Sequence, residues 1–382
     1  MSMDGVLRYA PDMGMEAPNS GVVRPQPLVF EPRVLEKVWG GRRLELLGKP
    51  LAKPGAGYGE SWEIADLGAT SASGAGGGAM RSVVATGPMA GRGIGEAMEA
   101  VGGPRPFPLL IKYLDAAENL SVQVHPSEAA ARRDAGAHLK TESWYVVEAE
   151  AGASLYVGLR PGVRRKEFEA AVRRAWAVGE AARHPVVEMM ERIEARPGMC
   201  LTLPSGIVHA LGAGVMVAEV QTPSDTTYRL FDWGRAGREL HIEAGLASAF
   251  GDDGKATVER AVSAGPIGEG ELCLRLAETR YYTIDEVRLL DGDEATVGFP
   301  CRFGGKRSGG GVKSPPAERG FVLMVIGGKG ELAEVEGGFG SVALVKGATV
   351  YVPPGCAKGA VLRGGEGLRV LRVGVLGGAE EP

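Results

Sequence analysis

What this chain lacks narrows what it can be. Its 382 residues include only five histidines and four cysteines. Cys200, Cys273, Cys301 and Cys356 lie far apart and form no CxxC pair, so neither a thiolate zinc cluster nor a disulfide framework is indicated, and a reducing compartment is the expectation. No apolar run approaches the length of a membrane span, and the first residues lack the basic-then-apolar order of a signal peptide. A cytoplasmic protein is expected. The formal net charge of -4, with 43 Lys and Arg against 47 Asp and Glu, gives no electrostatic case for nucleic acid or an anionic membrane as partner. The expected partner is a small molecule, handled by a monomer or a weak homodimer, and an anionic substrate would need local basic residues.

What is present points to β structure. With 60 glycines and 24 prolines, short apolar runs alternate with Gly or Pro turns along most of the chain, as in barrels or sandwiches. A hydrophobic content of 44% supplies material for two or three cores. Residues 1–26 lack periodicity and read as a flexible N-terminal extension. One stretch differs, at about 161–196, where Phe168, Val172 and Trp176 recur every fourth residue and Val186, Met190 and Ile193 continue a helical period. That predicts a helical insert whose basic residues, Arg164, Arg165, Lys166, Arg173 and Arg174, form a solvated face.

The chain also repeats itself. Gly198, Pro204, Gly206 and His209 follow the spacing G-x5-P-x-G-x2-H, and Gly347, Pro353, Gly355 and Lys358 reproduce it, each displaced by the same interval (198 to 347 is 149 residues). Each copy reads as a strand, a proline-glycine turn and a strand, within a small antiparallel barrel of jelly-roll type. The spacing resembles the second motif of the cupin superfamily, in which the Pro-x-Gly turn delivers a metal-binding histidine, and this suits His209. Lys358 in the second copy would repel a metal, so that barrel is expected to be metal-free. The predicted fold is mainly β: two cupin-type jelly-roll barrels with a small α-helical insert. The predicted domains are a catalytic unit over 27–260 and a C-terminal metal-free barrel over 261–382.

Three segments carry the candidate chemistry: Ser121-Val122-Gln123-Val124-His125-Pro126, Lys140-Thr141-Glu142-Ser143-Trp144 and Pro204-Ser205-Gly206-Ile207-Val208-His209. Strand alternation puts Gln123 and His125 on one face. Imidazole, carboxylate and amide donors suit zinc or another divalent transition metal, and three or four protein ligands with an open position describe a catalytic site. For His125 alone, a buried, hydrogen-bonded histidine on a sheet is the structural alternative.

Taken in order, several segments resemble the type I mannose-6-phosphate isomerases (phosphomannose isomerases). These are Lys37-Val38-Trp39-Gly40-Gly41, Gly59-Glu60-Ser61-Trp62, Pro108-Leu109-Leu110-Ile111-Lys112-Tyr113-Leu114-Asp115-Ala116, the three above, and Thr227-Tyr228-Arg229-Leu230-Phe231-Asp232-Trp233. The resemblance covers about 27–250. It implies a single zinc ion held by Gln123, His125, Glu142 and His209. It also implies Arg229, Lys140 and Glu219 as catalytic groups, with Ser121 and Arg235 binding the substrate phosphate. The implied reaction interconverts mannose 6-phosphate and fructose 6-phosphate through an enediol, with Glu219 or Lys140 moving the proton. Two other readings stay open: a cupin oxygenase with Fe(II), and a sugar-phosphate-binding cupin without turnover.

Overall fold

The computed structural model describes residues 25–68, 79–133, 136–178, 185–235, 237–258, 261–268, 272–297, 302–303, 318–334, 339–357 and 359–376. Most of residues 1–26, and Lys358, therefore lie outside the described residues. The fold is mainly β with few helices, and four principal sheets lie in layers. Sheet I has five strands, in spatial order Met190–Glu194, Ser154–Leu159, His209–Leu211, Val122–Val124 and Tyr228–Phe231. Sheet II has seven: Val262–Ala264, Cys200–Leu203, Glu142–Ala149, Val215–Gln221, Leu110–Ala116, Arg33–Gly41 and Tyr58–Ile64. Sheet III also has seven: Leu28–Val29, Thr349–Val352, Glu318–Gly327, Leu368–Leu376, Tyr282–Leu289, Cys273–Glu278 and Arg302–Phe303. Sheet IV has four: Glu294–Thr296, Ala360–Gly364, Lys329–Glu334 and Ser341–Val345.

The layering follows from the two-residue side-chain period. In Val215–Gln221 every residue is buried, because the strand is covered on both faces. Val215 and Val217 point into the cluster shared with Leu155, Val157 and Leu211 of sheet I. Met216, Ala218 and Val220 point the other way, into a cluster shared with Ile284, Met324 and Val373 of sheet III. The far side of sheet III packs on sheet IV through Leu323, Val325, Leu332, Leu344 and Leu362. The far side of sheet I is covered by Phe168, Val172 and Leu246 from two helices, Arg165–Val178 and Ile242–Ala249.

The repeat is visible in one pair of strands. Cys200–Leu203 and Thr349–Val352 are displaced by the same 149 residues as the motif (200 to 349) and occupy matching positions next to the first strand of their sheets. Gly347 marks why the motif begins with glycine. Its φ of +88° is left-handed, and a Cβ there would meet the carbonyl oxygen of Leu47 at 2.0 Å. Each sheet is completed at that edge by a strand from elsewhere, Val262–Ala264 in sheet II and Leu28–Val29 in sheet III.

Two expectations change. The helical period was expected to run through Met190 and Ile193, but Met190–Glu194 is a strand paired with Ser154–Leu159. The open edge of sheet I offers backbone partners that an isolated helical turn does not, and Met190 is buried in its place there. Arg165–Val178 and the short Pro185–Glu188 are the helical part. Cys273 is disulfide-bonded, against the expectation of free thiols, while Cys200 and Cys356 are free and buried. Among the described residues no helix is long and apolar enough to cross a membrane.

Polar ties join sheets II and III. Ser143 Oγ lies 2.9 Å from both Thr202 Oγ1 and Tyr282 Oη, and the Tyr145 hydroxyl donates to Glu286 Oε2 at 2.9 Å. Deeper still, Lys49 Nζ donates to Glu63 Oε2 at 2.6 Å and to the Gly347 carbonyl at 2.7 Å, with both side chains buried. Removing one member of a buried pair strands the other charge. Lys49→Ala should therefore destabilise the fold by about 3–5 kcal/mol, measured by urea unfolding. A loss well under 1 kcal/mol would show that Glu63 does not depend on Lys49.

Candidate metal centre and active site

Sheets I and II face each other across a cavity of about 110 Å³, and register decides what lines it. In sheet I, Gln123 pairs with His209 on one side and Arg229 on the other, so the three stand in one cross-strand row. In sheet II, Trp144, Glu219, Lys112 and Trp62 form a second row, because Glu219 pairs with both Trp144 and Lys112, and Lys112 pairs with Trp62. Glu142 lies two residues before Trp144 and shares its face. His125 directly follows the strand Val122–Val124, and the tight turn at Gly206, with φ +95° and its N–H donating to the His125 carbonyl at 3.1 Å, brings the chain round to His209.

His125, Glu142 and His209 are buried, and their candidate ligand atoms lie within 4.8 Å of one another. The tautomers follow from their partners. Each Nδ1 faces a backbone carbonyl, Thr226 at 3.0 Å for His125 and Ile207 at 2.9 Å for His209, and a carbonyl can only accept. Each Nδ1 therefore carries the hydrogen, and each Nε2 turns a lone pair inward. There the rings meet acceptors: His125 Nε2 lies 3.2 Å from Glu142 Oε2, and His209 Nε2 lies 3.3 Å from Glu142 Oε1. Glu142 Oε1 is buried with no hydrogen-bond partner. Three lone-pair donors converging on one point, one of them otherwise unsatisfied, fit a divalent cation. The Gln123 amide lies beside them, its nitrogen 3.2 Å from His209 Nε2, and rotation about its last bond would exchange that nitrogen for oxygen.

The charges around this cluster are paired. Lys140 Nζ donates to Glu142 Oε2 at 2.5 Å and lies 3.3 Å from His125 Nε2. Burial alone would raise the Glu142 carboxyl, yet Lys140 beside it holds it well below the usual carboxylate range. Burial, then Lys140, lowers His125 to about 3, which keeps its imidazole neutral. Glu219 receives Trp144 Nε1 at 3.0 Å and has Lys112 Nζ at 2.8 Å. For Lys112 burial disfavours the charge, but Glu219 and Glu60 outweigh it and raise the pKa. Glu60 is pulled the other way: burial would raise it, whereas Lys37 at 3.1 Å and then Lys112 bring it down to about 2.

Of the residues singled out from the sequence, Gln123, His125, Glu142, His209, Lys140, Glu219, Arg229 and Ser121 come together here. Arg235 does not line the cavity; its guanidinium is engaged by Asp232, Asn119 and Glu118. Four contributors escaped sequence reasoning as site residues: Lys112, Glu60, Lys37 and Arg238. For Lys112 a signal existed, since a lysine inside the apolar run Leu109–Leu114 must have a partner when that run becomes a buried strand. A larger cavity of about 590 Å³, beside Leu159 and Arg164, holds none of the candidate metal, catalytic or phosphate-binding residues.

Fold and site together define a β-sheet protein of the cupin type with a cluster able to hold a metal ion between its sheets. The profile of phosphomannose isomerase type I, catalytic domain, matches residues 28–154. Over 234 residues the chain is 34% identical to mannose-6-phosphate isomerase ManA of Bacillus subtilis, covering 58% of this chain and 67% of that protein. The crystal structure of the Bacillus subtilis mannose 6-phosphate isomerase superposes with a TM-score of 0.64 at 24% identity, covering 91% of this chain and 98% of that one. A mannose 6-phosphate isomerase bound with zinc and yttrium shares the fold at a TM-score of 0.58 and 16% identity, covering 92% and 99%. The chain belongs to the type I phosphomannose isomerase family.

A histidine neutral when folded but ordinary when unfolded makes stability depend on pH with a definite sign. The unfolded chain protonates His125 below its ordinary value of 6.5, whereas the folded chain resists to about 3. The unfolded state thus binds more protons in between, and stability falls as pH drops through that window. In metal-free protein, the stability advantage of wild type over His125→Gln should shrink from pH 6.5 downward in urea titrations. Parallel profiles would contradict a neutral His125.

Proposed function

We propose that this chain is a zinc-dependent aldose-ketose isomerase that interconverts mannose 6-phosphate and fructose 6-phosphate through an enediol. The observation that carries the reading is the buried His125, Glu142 and His209 cluster beside a cavity lined by Lys140, Glu219 and Arg229, in a chain of this family. His125, Glu142 and His209, with Gln123, would hold one zinc ion, which when bound supplies Lewis acidity toward a substrate oxygen. The sequence division stands within this proposal: a catalytic unit over 27–260 and a metal-free barrel over 261–382.

The protein's own groups do the rest. Moving a hydrogen between C2 and C1 needs a proton carrier within reach of both carbons and a cation facing the oxygen on which charge develops. Glu219 and Lys140 are the groups able to carry the proton. Glu219 is kept in place by Trp144 and Lys112, and Lys140 by Glu142. Arg229 is the cation in our reading. Its Nη1 donates to the Glu239 carbonyl at 2.6 Å, while its Nε is buried without a partner. Burial and then the neighbouring Arg238 push the Arg229 guanidinium below its ordinary pKa. Ser121, two residues before Gln123 and on the same cavity, would meet the phosphate. The family relatives favour this reading over the oxygenase and the non-catalytic binder.

Zinc-loaded protein should interconvert the two sugar phosphates in a coupled assay and exchange the C2 hydrogen of the substrate into solvent water. Glu219→Gln, Lys140→Ala and Arg229→Ala should each lower kcat by about 100-fold or more, and a chelator should stop turnover until metal is restored. Absence of interconversion by metal-loaded wild type would end the proposal, and wild-type turnover in all three variants would end its assignment of residues.

A further inference from the structure

Resting on the isomerase reading, we propose that Arg238, and not Arg235, is the cation that anchors the substrate phosphate, with Asp232 as its positioning residue. The two arginines lie on one turn and share one carboxylate, but the turn sends them to different places. Trp233, with a φ of +56° that side chains other than glycine rarely adopt, begins the turn, and its indole donates to the Leu120 carbonyl at 2.6 Å. A non-glycine residue held in that region persists only where surrounding contacts enforce it.

Past that point both terminal nitrogens of Arg235 are taken by the protein, and its Nε, which has no partner, is buried. Its Nη2 donates to Asp232 Oδ1 at 2.7 Å and to the Asn119 carbonyl at 2.8 Å, its Nη1 lies 3.3 Å from Glu118 Oε2, and it does not line the cavity. Among the described residues Arg238 spends only one nitrogen on the protein. Its Nη1 bridges Asp232 Oδ1 and Oδ2, both at 3.0 Å, and the side chain lines the cavity with Ser121 and Arg229. A guanidinium held through one nitrogen keeps the rest of its planar fork for an incoming oxyanion.

The charge census of the cavity points to the same end. Each lysine that lines it already has a carboxylate: Lys37 has Glu60, Lys112 has Glu219, and Lys140 has Glu142. At the arginine end Arg235 and Arg238 share the buried Asp232, the exposed Glu118 reaches Arg235 alone, and Arg229 feels Asp232 and Glu239 only through space. Asp225 also lines the cavity, but no ion pair ties it to either Arg229 or Arg238 among the described residues. The cavity cations without a carboxylate of their own are therefore Arg229, which has no ion pair among the described residues, and Arg238, which shares its one carboxylate with Arg235, and a phosphate oxyanion would be met there.

Two measurements on the full-length, zinc-loaded protein test this. In steady-state kinetics Arg238→Gln should raise KM for mannose 6-phosphate by about 30-fold or more while kcat changes far less, and Arg238→Lys, which keeps the charge but loses the fork, should fall between. In calorimetric titration with inorganic phosphate, which needs no turnover, Arg238→Gln should weaken binding at least tenfold. Arg235→Ala should lower the thermal midpoint and move phosphate affinity several-fold less. If wild type fails to isomerise yet Arg238→Gln loses phosphate binding, the isomerase reading falls and this one stands. Unchanged KM and unchanged phosphate affinity in Arg238→Gln, a larger loss of affinity in Arg235→Ala, or no detectable phosphate binding by wild type would each overturn it.

Discussion

A carboxylate without access to water costs several kcal/mol unless cations or hydrogen-bond donors meet it, and Glu142 is fully buried between two sheets. Lys140 answers part of that charge, yet Glu142 Oε1 is left with only imidazole lone pairs nearby. The same demand runs along the neighbouring row, where Glu219 requires Lys112, Lys112 also serves Glu60, and Glu60 requires Lys37. Charge placed inside the sandwich for chemistry thus propagates outward as a chain of alternating signs until it reaches the more exposed Lys37. The tryptophans Trp144 and Trp62 fit this scheme: each keeps water out with its ring and offers one N–H to a carboxylate, Glu219 and Glu60 respectively.

Much of this was legible beforehand because a strand's two-residue period is visible in sequence. Gln123 and the Lys140, Glu142 alternation told which side chains share a face, and the Pro-x-Gly spacing told where His209 turns inward. Partnership across strands was not legible. That Glu219 lies between Trp144 and Lys112 depends on the register of three segments separated by tens of residues, which no local pattern encodes. The strand Met190–Glu194 was missed for a related reason: its apolar spacing suits a helix, but an open sheet edge elsewhere in the fold decided its state. Arg235 and Arg238 were indistinguishable as sequence, since their difference comes from the path of one turn anchored at Trp233.

The two copies of the motif border interiors of different chemistry. Cys200–Leu203 and Thr349–Val352 hold matching places in sheets II and III, yet where sheets I and II enclose charged rows, sheets III and IV enclose Leu323, Val325, Leu332, Leu344 and Leu362. An apolar interior needs no network of partners and tolerates substitution by volume alone, which fits a copy whose outer face, through Tyr282 and Glu286, braces the back of the strand carrying Glu142.

The pairing of Leu28 with Tyr351 has a consequence for how the molecule is made. Chains emerge from the ribosome amino end first, so this short strand, which meets Ala85 early through the Val29 carbonyl, must wait for its sheet III partner while more than 300 further residues are synthesised. Closure of sheet III at that edge is therefore among the last events of folding, and loop-closure entropy makes so distant a contact slow to form. The rim beside the Gly347 turn thus joins the earliest described strand to one made more than 300 residues later, which makes it the longest-range strand pairing in sheet III among the described residues.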